Sequence, residues 1–176
     1  KEVKMSKRKG EFVAFEDLLK EVGKDAARYF FLEKSPDTHI DFNLDLAKER
    51  SAKNPVYYIQ YAYARMVSIE RRARGPERKA QKLDPRFLKE KEELALIKKL
   101  IQFPEIIQDT ANDYQIHRLP RFSLELARLF HNFYEKHRVI TDAPQLTEAR
   151  LNLMFATKTV LKNLLGLMGM ASPEKM

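Results

Sequence analysis

The chain has 176 residues, with 33 Lys and Arg against 25 Asp and Glu, so its formal net charge is +8 at pH 7. It contains no cysteine, which excludes disulfide bonds, thiolate metal sites and cysteine nucleophiles. No run of about 18 apolar residues occurs either, so the sequence predicts no transmembrane helix. The positive charge is compatible with a nucleic acid or an anionic membrane as partner, and equally with a solvated surface that binds nothing.

The first 44 residues differ in pattern from the rest of the chain. Residues 15–22 predict a short helix that ends at Gly23, and residues 26–33 predict a second one. Residues 39–44 alternate apolar and polar side chains, which is typical of a brief strand or of an extended segment. We interpret residues 1–44 as the tail of a mixed α/β domain, too small to fold alone.

From residue 45 onward the pattern is helical. Asn54-Pro55 is a strong helix start, because Asn is a favoured N-cap and Pro suits the first helical turn. The predicted helices cover residues 55–73, 84–100, 103–115, 118–138 and 143–166. Five helices with short connections predict an up-and-down bundle over residues 45–176.

The first helix of this bundle carries two stripes. Ile59, Ala62, Met66 and Ile69 recur at core spacing. A second stripe lies roughly 100° around the axis, and its members are Tyr58, Tyr61, Arg65, Ser68 and Arg72. Aromatic rings can stack on unpaired bases and arginines can contact phosphates, so this face suits a single-stranded RNA loop. The alternative is that the tyrosines only edge the core, with their hydroxyls in water.

Near the N-terminus, Lys4-Met5-Ser6-Lys7 precedes Gly10. Two lysines in such a loop could grip phosphates as mobile point charges. Taken alone the motif is weak, and a solvated basic tail is the alternative. The four histidines lack metal-ligand spacing, so the sequence predicts no metal site and favours packing roles for them.

In context these motifs resemble those of class I aminoacyl-tRNA synthetases. The Lys4-Met5-Ser6-Lys7 motif with Gly23, Asp25-Ala26 and Arg28-Tyr29-Phe30 is similar to the signature loop of that class and the segment after it. Residues 41–47 and 54–65 resemble arginyl-tRNA synthetases specifically. Later matches are Leu126-Ala127, Phe130-His131, Phe133-Tyr134, Arg138-Val139 and residues 173–176.

The resemblance implies an enzyme that attaches arginine to its tRNA through arginyl-adenylate, using ATP, with Mg²⁺ in the parent protein. It implies that Lys4 and Lys7, with Met5 and Ser6 in the same loop, stabilise the pyrophosphate. ATP and arginine would bind to a nucleotide-binding fold that should precede residue 1. We therefore predict that the isolated chain is inactive and holds no cofactor.

The resemblance also implies that residues 45–176 form the anticodon-binding domain of a mainly α protein, behind the α/β tail of a catalytic domain. The first and fourth helices of the bundle and the chain terminus would read the anticodon loop. The expected contacts are Tyr58, Tyr61, Arg65 and Met176 for the loop, with Arg72 and Arg138 for phosphates. The implied partner is the arginine tRNA, with no membrane, in a cytoplasmic monomer. Two alternatives stay open: a standalone RNA-binding or assembly module without catalysis, and a helical interaction bundle whose charge is only solubilising.

Overall fold

The computed structural model describes residues 14–35, 37–73 and 84–176, and throughout these ranges the regular structure is helical, without a strand. The prediction of a mainly α fold is confirmed. The helices are α1 (Phe15–Val22), α2 (Lys24–Leu32), α3 (Leu44–Lys48), α4 (Pro55–Ala73), α5 (Lys91–Ile101), α6 (Phe103–Asp113), α7 (Arg118–Lys136) and α8 (Pro144–Leu167). None of them is both long enough and apolar enough to cross a membrane.

Helices α1 to α3 form the N-terminal part and contact one another. Gly23 separates α1 from α2 with φ of 81°, a value that favours glycine. Residues 39–43 form no strand, so the strand alternative for this segment is not realised. The segment instead leads into a helix start, where the Asn43 side chain accepts a hydrogen bond from the Leu46 N–H (3.0 Å) and caps α3.

The start of α4 is as predicted. Asn54 is buried, and its Oδ1 accepts a hydrogen bond from the Val56 N–H (3.0 Å). Its Nδ2 donates to the carbonyls of Ala47 (3.1 Å) and Glu49 (2.9 Å) at the end of α3. One side chain therefore caps α4 and fixes it to the N-terminal part of the chain.

The predicted helix over residues 84–100 is wrong over its first seven residues. Asp84 accepts a hydrogen bond from the Arg86 N–H (3.0 Å) and caps only a 3-10 turn, Pro85–Phe87. The chain then extends, and α5 begins at Lys91. The Glu93 carboxylate accepts from the Glu90 N–H (2.9 Å), which supplies the cap of the real helix start.

Helices α4, α5, α7 and α8 pack around a common core, with α6 against α5 and α7. The largest side chains of the bundle core are fully buried: Ile59, Met66, Leu96, Leu126, Phe130, Phe133, Met154, Leu161, Leu164, Leu165 and Met168. Each burial of this kind contributes about 1.5–3 kcal/mol relative to exposure. The core stripe predicted for α4 is confirmed, because Ile59, Ala62, Met66 and Ile69 are all buried.

A buried ion pair fixes α8 against α5. Arg150 Nε donates to the fully buried Glu93 carboxylate (2.7 Å), and Arg150 Nη1 donates to the Arg138 carbonyl (2.8 Å). Because a buried charge without its partner is strongly destabilising, this pair favours one register of the two helices. It also holds the connection between α7 and α8.

Candidate nucleic-acid interface

A groove of about 420 Å³ lies between α4, α7 and the last residues of the chain. We call residues 171–176 the C-terminal segment; it forms the third wall of this groove. The lining side chains come from α4 at helical spacing, from one position of α7 and from the end of the C-terminal segment: Tyr61, Ala64, Arg65, Ser68, Ile69, Arg71, Arg72, Tyr134, Glu174, Lys175 and Met176.

Aromatic rings continue from the groove along α4. The rings of Tyr57 and Tyr61 are nearly parallel, with centroids 6.1 Å apart and planes 6° apart. His131 of α7 lies on the other helix, stacked at 5.8 Å and 14° relative to Tyr61 and tilted at 4.4 Å from Tyr58. Packing between the two helices thus orders the Tyr61 ring before any ligand is present.

Arg65 is fixed in the groove by two tyrosines. Its Cζ lies 4.5 Å from the ring centroid of Tyr134 and 5.7 Å from that of Tyr61, and its guanidinium donates a hydrogen bond to the Tyr61 hydroxyl. Burial lowers the pKa of Arg65, but hydrogen bonding to Tyr134 and Tyr61 outweighs it and raises that pKa above its ordinary value. The groove therefore contains a permanent, pre-oriented positive charge.

His131 contributes an aromatic surface without charge at neutral pH. Burial lowers its pKa, although its Nε2 lies 3.4 Å from the Tyr58 carbonyl and donates to it. Burial likewise raises the pKa of the neighbouring Tyr58 hydroxyl, with a further contribution from Glu135. Both rings are therefore neutral at physiological pH, so they support Tyr61 by stacking.

The C-terminal segment is fixed at two points. The Ala171 N–H lies 3.2 Å from both carboxylate oxygens of Asp25 and donates to that group. Gln60 Nε2 donates to the Ala171 carbonyl (3.0 Å) and to Asp25 Oδ2 (2.7 Å). Farther along, Arg71 of α4 pairs with Glu174. These contacts keep the segment beside α4, with Met176 at the groove.

The charge of the lining is mostly positive. Four basic side chains, Arg65, Arg71, Arg72 and Lys175, line the groove together with Glu174. Rings that can stack on bases and guanidinium groups that can bind phosphates are the combination that single-stranded RNA requires. Within residues 14–35, 37–73 and 84–176, no group of three or more His, Asp or Glu side chains could hold a metal ion.

The sequence matches a protein family over most of its length. The family model of the DALR anticodon binding domain covers residues 59–176, which includes most of α4 and all of α5 to α8. The chain belongs to this family. Its groove is therefore part of a DALR domain.

Curated relatives are similar to this chain over nearly its whole length. The arginine–tRNA ligases of Symbiobacterium thermophilum and Desulforamulus reducens are 49% and 50% identical over 99% of the chain. The chain spans 32% of the length of each of these two relatives. A solved structure from Campylobacter jejuni, described as a candidate arginyl-tRNA synthetase, superposes with a TM-score of 0.80 at 28% identity, covering 99% of this chain and 37% of that one.

The DALR groove contains four of the six described side chains that the sequence singled out for RNA, namely Tyr61, Arg65, Arg72 and Met176. Tyr58 instead packs at the edge of the core and lines a second cavity of about 340 Å³ with Lys53 and Arg128. Arg138 follows the end of α7 and is exposed, and it is not among the residues that line the groove. Lys4, Met5, Ser6 and Lys7 lie outside the described residues.

The sequence predicted that the fourth helix of the bundle, α7, helps to bind the RNA, but it did not single out the α7 side chains that lie at the groove. Tyr134 lines it directly, and His131, which was assigned to packing, stacks on Tyr61. A signal was present, because His131 and Tyr134 are three residues apart and share a helix face. Arg71 and Lys175 carried no such signal, since their place in the groove depends on where the C-terminal segment lies.

Proposed function

We propose that this chain is the tRNA-binding part of an arginyl-tRNA synthetase and that the groove between α4, α7 and the C-terminal segment binds the anticodon loop. One observation carries the proposal: aromatic and basic side chains from three separate parts of a DALR domain meet in one groove. The relatives named above as arginine–tRNA ligases support the choice of amino acid.

In this proposal the groove residues have distinct roles. Tyr61, pre-ordered by its stacking on His131, provides a platform for an unpaired base. Arg65 stacks beside it, and Arg72 contacts the loop phosphates. Met176 packs against a base from the opposite wall. Tyr58 and Arg138 lie outside the groove and would contact only the parts of the bound RNA that extend beyond it.

The rest of the proposed reaction belongs to the parent enzyme. Arginine and ATP, the latter with Mg²⁺, would react in a catalytic domain to give arginyl-adenylate and pyrophosphate. The signature loop, Lys4 to Lys7, would stabilise the departing pyrophosphate through its lysines, with one well-placed donor contributing about 3 kcal/mol. We propose that the parent acts as a monomer in the cytoplasm.

Binding of an RNA hairpin tests this proposal directly. The chain is titrated with the anticodon stem-loop of an arginine tRNA, and with the same stem carrying a scrambled loop. We expect the arginine loop to bind at least about tenfold more tightly, because base contacts specify while phosphate contacts only position. Equal affinity for the two hairpins would contradict anticodon recognition.

The salt dependence distinguishes RNA binding from a charge that is only solubilising. If three phosphates of the loop are neutralised, affinity should fall about twentyfold between 50 and 200 mM salt. A hairpin affinity that is flat over this range would exclude the arginines of the groove as phosphate ligands. Such a result would favour the alternative of a helical interaction bundle whose charge is only solubilising.

A further inference from the structure

Two side chains of α2 contact the chain where it leaves α8. Asp25 accepts from the Ala171 N–H, and Arg28 donates from Nε to the Met168 carbonyl. These bonds join parts of the sequence that are 146 and 140 residues apart. They lie on either side of Gly169, so α2 holds both ends of the turn from which the C-terminal segment departs.

The turn is shaped to receive the Arg28 side chain. Gly169 has φ of 66°, in the left-handed region that favours glycine, and the Met170 N–H donates to the Leu165 carbonyl (2.8 Å) to close the helix end. A Cβ atom at position 169 would lie 2.7 Å from Arg28 Nε. Glycine at this position therefore leaves room for the guanidinium beside the Met168 carbonyl.

The contacts between α2 and the turn lie at the surface and are few. Asp25 is half-buried, and Arg28 and Ala171 are exposed. Hydrogen bonds that compete with water hold a segment only marginally. Loss of one acceptor can therefore change the fraction of time for which the C-terminal segment is docked.

We propose that Asp25 and Arg28 are positioning residues for the groove, which keep the C-terminal segment docked against α4 and thereby set the affinity for RNA. This inference rests on the proposed function. A ligand that requires the docked state binds with an apparent Kd equal to the intrinsic Kd divided by the docked fraction. If loss of Asp25 leaves the segment docked about one tenth of the time, the apparent Kd rises about tenfold.

Electrostatics alone predicts the opposite sign. Asp25 is an acid on a basic protein, so its removal should strengthen binding to a polyanion. Asp17 on α1 is an exposed acid that pairs only locally with Lys20 (3.4 Å) among the contacts of the described residues. Asp17→Ala removes the same charge without touching the C-terminal segment and is the matched control.

The experiment compares Asp25→Ala, Asp25→Asn, Arg28→Ala and Asp17→Ala in the full chain. Docking is measured without RNA by the hydrogen exchange of the Ala171 amide and by the NMR linewidth of the Met176 methyl group. Affinity is measured with the arginine anticodon stem-loop. We expect Asp25→Ala and Arg28→Ala to mobilise the segment and weaken binding about tenfold. Asp25→Asn retains an acceptor, so it should bind the hairpin nearly as tightly as the wild type does. Asp17→Ala should bind the hairpin as tightly as the wild type or more tightly.

The outcomes separate this inference from the proposed function. If the wild type binds the hairpin and Asp25→Ala mobilises the segment without weakening binding, the positioning role is overturned and the proposed function stands. An unchanged Ala171 amide and Met176 methyl in both Asp25→Ala and Arg28→Ala also overturn it. If the wild type itself fails to bind the hairpin, the proposed function is overturned. Arg28→Ala, an exposed position, provides a folded variant if Asp25→Ala does not fold.

Discussion

Tyr61 takes part both in the packing of α4 against α7 and in the proposed binding of RNA. It lines the groove while its ring stacks on Tyr57 and His131. Its hydroxyl accepts a hydrogen bond from Arg65. The ring and the hydroxyl thus have separate roles, because the ring presents a stacking surface while the hydroxyl orients a guanidinium.

We expect Tyr61→Ala to weaken hairpin binding by about 1–3 kcal/mol, which is the usual cost of losing one stacking platform. Tyr61→Phe keeps the ring and should lose much less. Titration calorimetry measures both effects, and circular dichroism should show helicity close to that of the wild type.

Tyr114 provides the control for this prediction. It is 80% exposed at the end of α6 and is not among the residues of the groove, so Tyr114→Ala should leave hairpin affinity unchanged. If Tyr61→Ala instead unfolds the bundle while the fraction that remains folded binds normally, Tyr61 is a packing residue.

Among the contacts between helices, those of Glu92 join α5 to the end of α7. Its carboxylate accepts hydrogen bonds from Lys136 Nζ (2.6 Å) and from His137 Nε2 (3.0 Å). These bonds, that from Lys136 first, lower the pKa of Glu92 from 4.5 to about 2. The Glu92 carboxylate is protonated more readily in the unfolded chain than in the folded chain. Its contribution to stability is therefore complete above pH 4.5 and is lost as the pH falls towards 2.

Glu92→Gln should therefore lower the free energy of unfolding at neutral pH and flatten its pH dependence between 4.5 and about 2. Urea unfolding at several pH values in that window measures the slope. Glu105→Gln, at an exposed position in the first turn of α6, should keep the wild-type slope. A wild-type slope in Glu92→Gln would mean that Lys136 and His137 do not lower the pKa of Glu92.

The helices themselves could be predicted from local signals, and the groove could be predicted only in part. Proline and Asn54 marked the start of α4 because capping is a local interaction. The start of α5 was missed because the Glu93 cap follows a 3-10 turn that Asp84 caps first. The α4 stripe was visible as periodicity, whereas the position of Tyr134 beside Arg65 depends on how two distant helices pack.

For the whole molecule, the proposed function divides the reaction between two parts of the parent enzyme. The chain spans 32% of the length of the arginine–tRNA ligases to which it is similar. In our proposal, arginine and ATP react in a separate catalytic domain of the parent. We therefore expect the isolated chain to show no arginine-dependent exchange between ATP and pyrophosphate.

A radiolabelled pyrophosphate assay tests this expectation. The full-length arginine–tRNA ligase of Desulforamulus reducens, 50% identical over the shared region, serves as the positive control. Exchange by the isolated chain above background would place arginine activation within these 176 residues. It would refute the proposal that activation takes place in a separate catalytic domain.

The two attachments of the C-terminal segment also limit its length. Gln60 and Arg71 lie about 16 Å apart along α4 at about 1.5 Å per residue. The backbone from Ala171 to Glu174 spans about 10 Å at most, so the side chains must bridge the difference. A deleted residue would shorten this backbone span to about 7 Å and move Glu174 out of reach of Arg71, whereas an inserted residue would extend it to about 14 Å, still less than the separation of the two attachments. Deletions should therefore be rarer than insertions in this stretch among related sequences.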